Sequence, residues 1–148
     1  MTNFSLIDGL RGIVMRGPNL TESCSFFENL WGLTLSHSEN DEVLFRGKGS
    51  EPIAYGLINQ PVFGIEYIHS STKDRSSMNA LFKQLVKQNC TIISKPGEFN
   101  DFAGGYGFEI LDPDNRRLRF RTDALKLTNN KKWGYPDKVS HVVLNTPD

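Results

Sequence analysis

Cysteine and histidine are scarce in this chain, and no long apolar run and no excess of one charge occur. The two cysteines, Cys24 and Cys90, sit inside apolar patterns and read as small buried thiols, not as a disulfide framework or a metal pair. The sequence contains no C-x-x-C, no H-E-x-x-H and no G-x-S-x-G elbow, so the chemistries those motifs carry have no seat here. Seventeen basic residues balance seventeen acidic ones, which leaves no basic stripe for a nucleic acid. No window reaches the roughly 18 apolar residues of a membrane span. The start, MTNFSLIDGLRG, lacks the basic-then-apolar order of a secretory signal. The expectation is a soluble, cytoplasmic protein of one domain's length, able to hold a core without staples.

What is present is a pattern. Residues 10–16 (LRGIVMR) read as a strand closed by Gly17-Pro18-Asn19. Asn19 with Glu22 forms a capping-box start for a helix over 19–31, in which Leu20, Cys24, Phe27 and Trp31 share a face and Gly32 is the stop. Strands over 33–37, 42–46 and 52–59 follow. The order is then repeated. Residues 63–68 (FGIEYI) read as a strand. Ser71 or Thr72 caps a helix with Met78, Leu81, Phe82, Leu85 and Val86 on one face, and Asn89 ends it. Residues 90–94 read as a strand, 95–101 as a polar loop around Pro96-Gly97, 104–111 as a strand, and 116–121 (RRLRFR) as the last strand after a tight turn at 112–115. The glycines of AGGYG (103–107) lack the lysine and helix of a phosphate loop. The arginines of RRLRFR are read as a solvated or interdomain face, with Leu118 and Phe120 opposite.

A third start closes the sequence. GIVMRGPN (12–19) and HVVLNTPD (141–148) match in kind: three apolar residues, then proline at the same offset and an Asn or Asp cap. Repeats of this sort decide the fold. The organisation expected is a first β-α-β-β-β motif over 8–59, a second over 60–121, a linker over 122–138, and over 139–148 the first strand of a following, truncated module with Asp148 as its helix cap.

β-α-β-β-β repeats that open with H-apolar-apolar-apolar-x-x-P-D and close with D-P-D-x-x-R-apolar-x-F resemble the vicinal oxygen chelate superfamily. That group includes glyoxalase I, bleomycin-resistance proteins and extradiol dioxygenases. The closing motif here is Asp112-Pro113-Asp114-Asn115-Arg116-Arg117-Leu118-Arg119-Phe120, and the likeness spans about residues 8–121. The resemblance implies an α+β fold in which two β-α-β-β-β repeats form a cupped mixed sheet with helices outside.

It also implies a divalent metal held by His or Glu at the opening motif, His on the first strand of the second repeat, and Glu on the final strand. Carried over, those positions are Gly12, Gly64 (within one residue) and Arg119. Glycine brings no donor atom and a guanidinium brings a positive charge without a lone pair, so this pair of repeats is expected to hold no metal. Glu66 reads as an ordinary strand carboxylate, and His37 and His69 as polar surface or junction residues. His141 stands where the family's first ligand stands, as a metal residue of a longer parent chain only.

The function implied is that of the N-terminal, metal-free scaffold module of an Fe(II)-dependent (or Mn(II)-dependent) extradiol dioxygenase-like protein, inert alone. Its partners would be the C-terminal catalytic module of the same chain and, in the parent, a small aromatic diol, with a homo-oligomer possible. Two rivals stand beside it. One is a dimeric small-molecule-binding module of the bleomycin-resistance kind, with Phe45, Tyr55, Tyr106 and Phe108 lining its cup instead of packing the core. The other is part of a glyoxalase-like isomerase.

Overall fold

The computed structural model describes residues 5–129 and 136–147. Its elements are β1 (Ile7–Gly17), α1 (Leu20–Asn29), β2 (Thr34–Glu39), β3 (Glu42–Arg46), β4 (Tyr55–Asn59), β5 (Gly64–Thr72), α2 (Arg75–Lys87), β6 (Thr91–Glu98), β7 (Tyr106–Leu111) and β8 (Arg117–Thr122). The expected β-α-β-β-β order therefore occurs twice. The strands form one sheet in the order β2-β3-β4-β1-β5-β8-β7-β6. Each repeat pairs its first and last strands in parallel, β1 with β4 and β5 with β8. The repeats join through the antiparallel pair β1–β5 at the centre.

Alternation along the strands sorts side chains to two faces. On one face α1 packs Leu20, Cys24 and Phe27 against Leu33, Val43, Phe45 and Leu57. On the same side α2 packs Met78 and Leu81 against Phe108, Ile110 and Phe120. Full burial of such side chains contributes roughly 1.5–3 kcal/mol each. The helix-free face, the inside of the cup, holds a third cluster of Val14, Leu44, Ile53, Tyr67 and Ala103. Phe45, Tyr55, Tyr106 and Phe108 all lie with the helix-side clusters. They pack the core, and the alternative in which they line the cup does not hold.

Several local expectations are corrected. Asn19 sits in the left-handed region (φ 63°, ψ 54°) and makes no side-chain capping bond. A capping side chain needs an extended backbone to reach the first turn, so the box with Glu22 does not form. Only the Asn19 carbonyl serves the helix, accepting from the Ser23 amide at 3.2 Å. In the second repeat the cap is Asp74, which accepts from the Ser77 amide at 2.7 Å. Ser71 and Thr72 are still in β5, paired with Gly9 and Ile7 of β1. Residues 95–98 continue β6 through Pro96 and Gly97. An edge strand tolerates proline because its outward amide has no ladder partner to lose, and the register shifts between Ser94 and Gly97.

Cys24 and Cys90 are free and only half-buried; burial, then the Glu28 carboxylate, pushes the Cys24 thiol up. The turn at 112–115 forms as expected, with the Asp112 carboxylate accepting from the Asp114 and Arg116 amides, both at 2.9 Å. Residues 123–129 are irregular but docked: the Leu125 amide donates to Ala103 at 2.8 Å and the Leu127 amide to Ser50 at 2.9 Å. Residues 130–135 of the expected linker, and Asp148, lie outside the described residues. Residues 139–147 carry no strand pairing among the described residues. No helix among them is long and apolar enough to cross a membrane.

Candidate functional site

Strand register sets one row of residues across the sheet centre. Gly12 of β1 lies opposite His69 of β5, and His69 lies beside Arg119 of β8. Two of the three expected positions, Gly12 and Arg119, thus come together. Gly64 does not join them: it pairs with Arg16 at the far end of β5, with the Arg16 guanidinium packed over it. His69 occupies the middle place. Register shifts along β1–β5, between Leu10 and Gly12 and between Val14 and Met15, defeat counting along the sequence.

Gly12 is closed to any larger side chain. A Cβ there would meet the Ile53 carbonyl at 2.7 Å and the Ala54 carbonyl at 3.1 Å. The Ile13 amide ties this crossing down by donating to Ala54 at 3.2 Å.

Arg119 is committed elsewhere. Its Nε donates to Glu109 Oε1 at 2.7 Å and its Nη1 to Asp101 Oδ2 at 3.0 Å. Its guanidinium lies over the Tyr67 ring at 3.8 Å. Arg121, two residues on and facing the same way, is enclosed completely. It makes a double ion pair with Asp101 (2.6 and 2.5 Å) and donates to the Gly104 carbonyl. Phe99 lies 4.4 Å from its guanidinium.

The solvated face expected for these arginines is therefore corrected. Arg119 and Arg121 point into the cup, while Leu118 and Phe120 face α2 as expected. Buried guanidinium groups persist only where paired, and Asp101 and Glu109 supply the pairing.

The electrostatics follow from this packing. Burial pushes the Asp101 carboxyl up, but Arg121, Arg119 and the Gly104 amide outweigh it and hold the group below the usual range. Glu42 is pushed up by burial and by Asp101, against His37 and the two arginines. Burial drives the Tyr67 hydroxyl to about 12.

His69 is corrected most. It is not a junction residue on the surface; it is 2% exposed within β5. Burial, then Arg121, Arg119 and Arg11, drive its imidazole down to about 3, so it is neutral. His37 is a half-buried strand residue stacked on Phe102 at 4.6 Å. Glu66 pairs with Arg117 at 3.4 Å and with Arg16 at 3.7 Å, as an ordinary strand carboxylate does.

These positions do not fit a divalent cation. Gly12 cannot acquire a ligand without moving backbone, and Arg119 places positive charge where a metal would sit. His141 is exposed in the tail, with Nδ1 3.0 Å from Ser140 Oγ. It lies beside Trp31 and Tyr55 along a cleft of about 350 Å³, away from the row in the cup.

Sequence reasoning missed Asp101, Glu109 and Arg121 as a unit. The available signal was the alternation Arg117-Leu118-Arg119-Phe120-Arg121, which puts three arginines on one face.

Paired β-α-β-β-β repeats joined in one eight-stranded mixed sheet are the α+β fold that the sequence resemblance implies. Among solved structures, the chain is similar to a Mn(II)-bound glyoxalase from Novosphingobium aromaticivorans. The TM-score is 0.91 at 24% identity, over 97% of this chain and 49% of that one. It is also similar to homoprotocatechuate 2,3-dioxygenase from Brevibacterium fuscum, in complex with 3,4-dihydroxyphenylacetate: TM-score 0.76, 14% identity, 91% of this chain and 44% of that one. The 2,3-dioxygenase LapB from Pseudomonas sp. KL28 gives 0.75 at 14% identity, over 88% of this chain and 46% of that one. The chain thus spans about half the length of the solved proteins it matches. No family model matches the sequence, and no curated protein does.

Proposed function

We propose that this chain is the N-terminal, metal-free scaffold half of a two-module metal-dependent enzyme, and that its parent is an extradiol ring-cleaving dioxygenase. The observation that carries the reading is the row Gly12–His69–Arg119. The resemblance asks for three metal ligands there, and the row offers one buried histidine between a glycine roofed by two carbonyls and an arginine bound to two carboxylates. Spanning about half of its structural neighbours fits the same reading.

The downstream half would open at His141, the first of two His and one Glu ligands on Fe(II) or Mn(II). An ion held there would supply Lewis-acid and template chemistry toward a small aromatic diol and O2. The role of the chain itself is to pack against that half and fix its sheet.

A second reading, part of a glyoxalase-like isomerase, is favoured by one finding: the Mn(II)-bound glyoxalase superposes best of the three, over nearly the whole chain. The binding-module reading has less support, because Val14, Leu44, Ile53, Tyr67 and Ala103 plug the cup.

Metal analysis tests the scaffold role. This chain should carry no stoichiometric iron, manganese or zinc, and tight one-to-one metal overturns the assignment of Gly12 and Arg119. A longer chain loaded with Fe(II) or Mn(II) separates the two enzymes. Oxygen uptake with a catechol supports the dioxygenase, and turnover without oxygen uptake supports the isomerase. In that longer chain His141→Ala should abolish metal binding.

A further inference from the structure

The two helices hold matching places in the two repeats, and their outer faces differ. On α2 the exposed residues include Asn79, Lys83, Gln84 and Lys87, and Val86 is its one exposed large apolar side chain. On α1 the core side is already made by Leu20, Cys24 and Phe27. Three further large apolar residues at its C-terminal end face outward: Phe26 is 44% exposed, Leu30 74% and Trp31 52%. Phe26 and Leu30 stand one helical turn apart. The rings form a continuous surface, with Phe26 5.3 Å from Phe27, Phe27 5.1 Å from Trp31, and Trp31 6.4 Å from Tyr55. Single exposed apolar residues are ordinary, but a contiguous patch marks a surface that something covers.

The end of the chain runs along the same face, and it is seated there by built contacts. The Lys48 amide donates to the Pro136 carbonyl at 2.9 Å and the Gly49 amide to the Asp137 carbonyl at 3.4 Å. A Cβ at Gly47 would collide with both of those carbonyls, so glycine makes the room for this crossing. Further on, the Arg116 Nη1 donates to the Asn145 carbonyl at 3.0 Å. Between these two fixings lies the cleft of about 350 Å³, lined by Ile13, Trp31 and Tyr55 with Val139 and Val142. The next residue, Val143, is 79% exposed. Protein interiors close gaps of this kind. An apolar cleft of this size, flanked by an exposed aromatic patch, is half of an interface.

The position of His141 decides between occupants. It lies in the wall of the same cleft, and the proposed function opens the downstream half there. A partner tethered within a few residues of Trp31 is present at an effective concentration on the order of millimolar, which a free second copy does not match at ordinary protein concentrations.

We propose that the aromatic face of α1, together with the cleft beside it, is the seam on which the downstream half packs, with Phe26, Leu30 and Trp31 as its buried anchors. This inference rests on the two-module reading. Hydroxyl-radical footprinting read by mass spectrometry, on this chain and on a longer chain that includes the downstream half, measures each anchor separately. Phe63, 78% exposed and packed over Gly17 beyond the opposite end of α1, is the internal control.

In the longer chain, oxidation of Phe26, Leu30 and Trp31 should slow about fivefold or more, because the core of an interface excludes water, while Phe63 reacts equally in both. Leu30→Gln gives a second readout. It should leave the urea midpoint of this chain unchanged, since Leu30 is exposed in it, and lower that of the longer chain. Two outcomes overturn the seam and leave the two-module reading standing. One is equal oxidation of the three anchors in both chains; the other is a Leu30→Gln change that lowers both midpoints alike. Protection of the same residues in this chain as its concentration is raised gives the face to a second copy and also overturns the proposal. A longer chain without a second module overturns the two-module reading itself, and the seam falls with it.

Discussion

The two repeats share one chain order and differ on the inner face of the sheet. In the first, the centre of the cup face is apolar, where Val14, Leu44 and Ile53 pack together, with Glu42 at its margin. In the second, the same face carries Arg119, Arg121, Glu109 and the buried His69, closed by Asp101 from the loop after β6. On the helix side the halves agree, each with a helix on a cluster of large apolar residues. Helix packing demands apolar residues at fixed spacing, so that side follows from the duplicated pattern. The inner face answers only to pairing and to what it must hold, and there the halves part. Their helices differ too: α2 buries Met78 and Leu81 and is capped by Asp74, whereas α1 buries no residue fully and lacks a side-chain cap.

The largest test of this comparison removes a ring from each helix-side cluster. Phe45→Ala and Phe108→Ala should each cost about 3–5 kcal/mol in urea unfolding, since both rings are fully buried. A large inequality between them would show that the helix sides are not equivalent.

Next comes the pH response of the second half. The unfolded chain protonates His69 near 6.5, while the native chain resists until about 3. The unfolded state therefore binds more protons in that window, and stability must fall as pH falls through it. The slope from this group is about 1.4 kcal/mol per pH unit, or about 2 kcal/mol between pH 6.5 and 5. Urea midpoints measured against pH should show this limb, and His69→Leu should flatten it.

Asp101→Asn strips the partner from Arg121. The cost expected is about 1–2 kcal/mol, less than for a fully enclosed pair because Asp101 is one-third exposed. The folded-state carboxyl lies below its usual value, so its contribution is present at neutral pH. It fades only as pH drops below the ordinary carboxylate range. Asp101→Asn should remove that acid limb and leave the His69 limb in place.

The smallest effect separates the helix starts. Asp74→Ala should lower the urea midpoint, while Asn19→Gly should leave it unchanged or raise it, because glycine suits the left-handed backbone at 19. Equal losses from both would contradict the difference in capping.

Most of the fold was legible in the sequence. The two repeats, the apolar face of α2 through Met78 and Leu81, and the Asp112 turn follow from spacing and turn chemistry alone. The inner face was not legible, for identifiable reasons. Arg119 and Arg121 look solvated because charges usually are, and their partner Asp101 sits 18 and 20 residues away in a segment that reads as a polar loop. His69 is followed by Ser70, Ser71 and Thr72, a polar run on both faces of the strand that erases the alternation marking an inward position. Counting residues leads to Gly64 for the middle place of the row, and register shifts on β1–β5 put His69 there.

The crossing of residues 53–54 over Gly12 has a further meaning. A cation ligand at position 12 cannot be reached by one substitution, since even a methyl group meets a carbonyl at 2.7 Å. The backbone across β1 would have to retreat first, and that retreat breaks the Ile13–Ala54 bond while returning nothing until the new side chain is in place. Selection acting one change at a time has no downhill path through that order of events. At this position the lack of a ligand side chain is locked by backbone geometry, whatever happens to the rest of the surface.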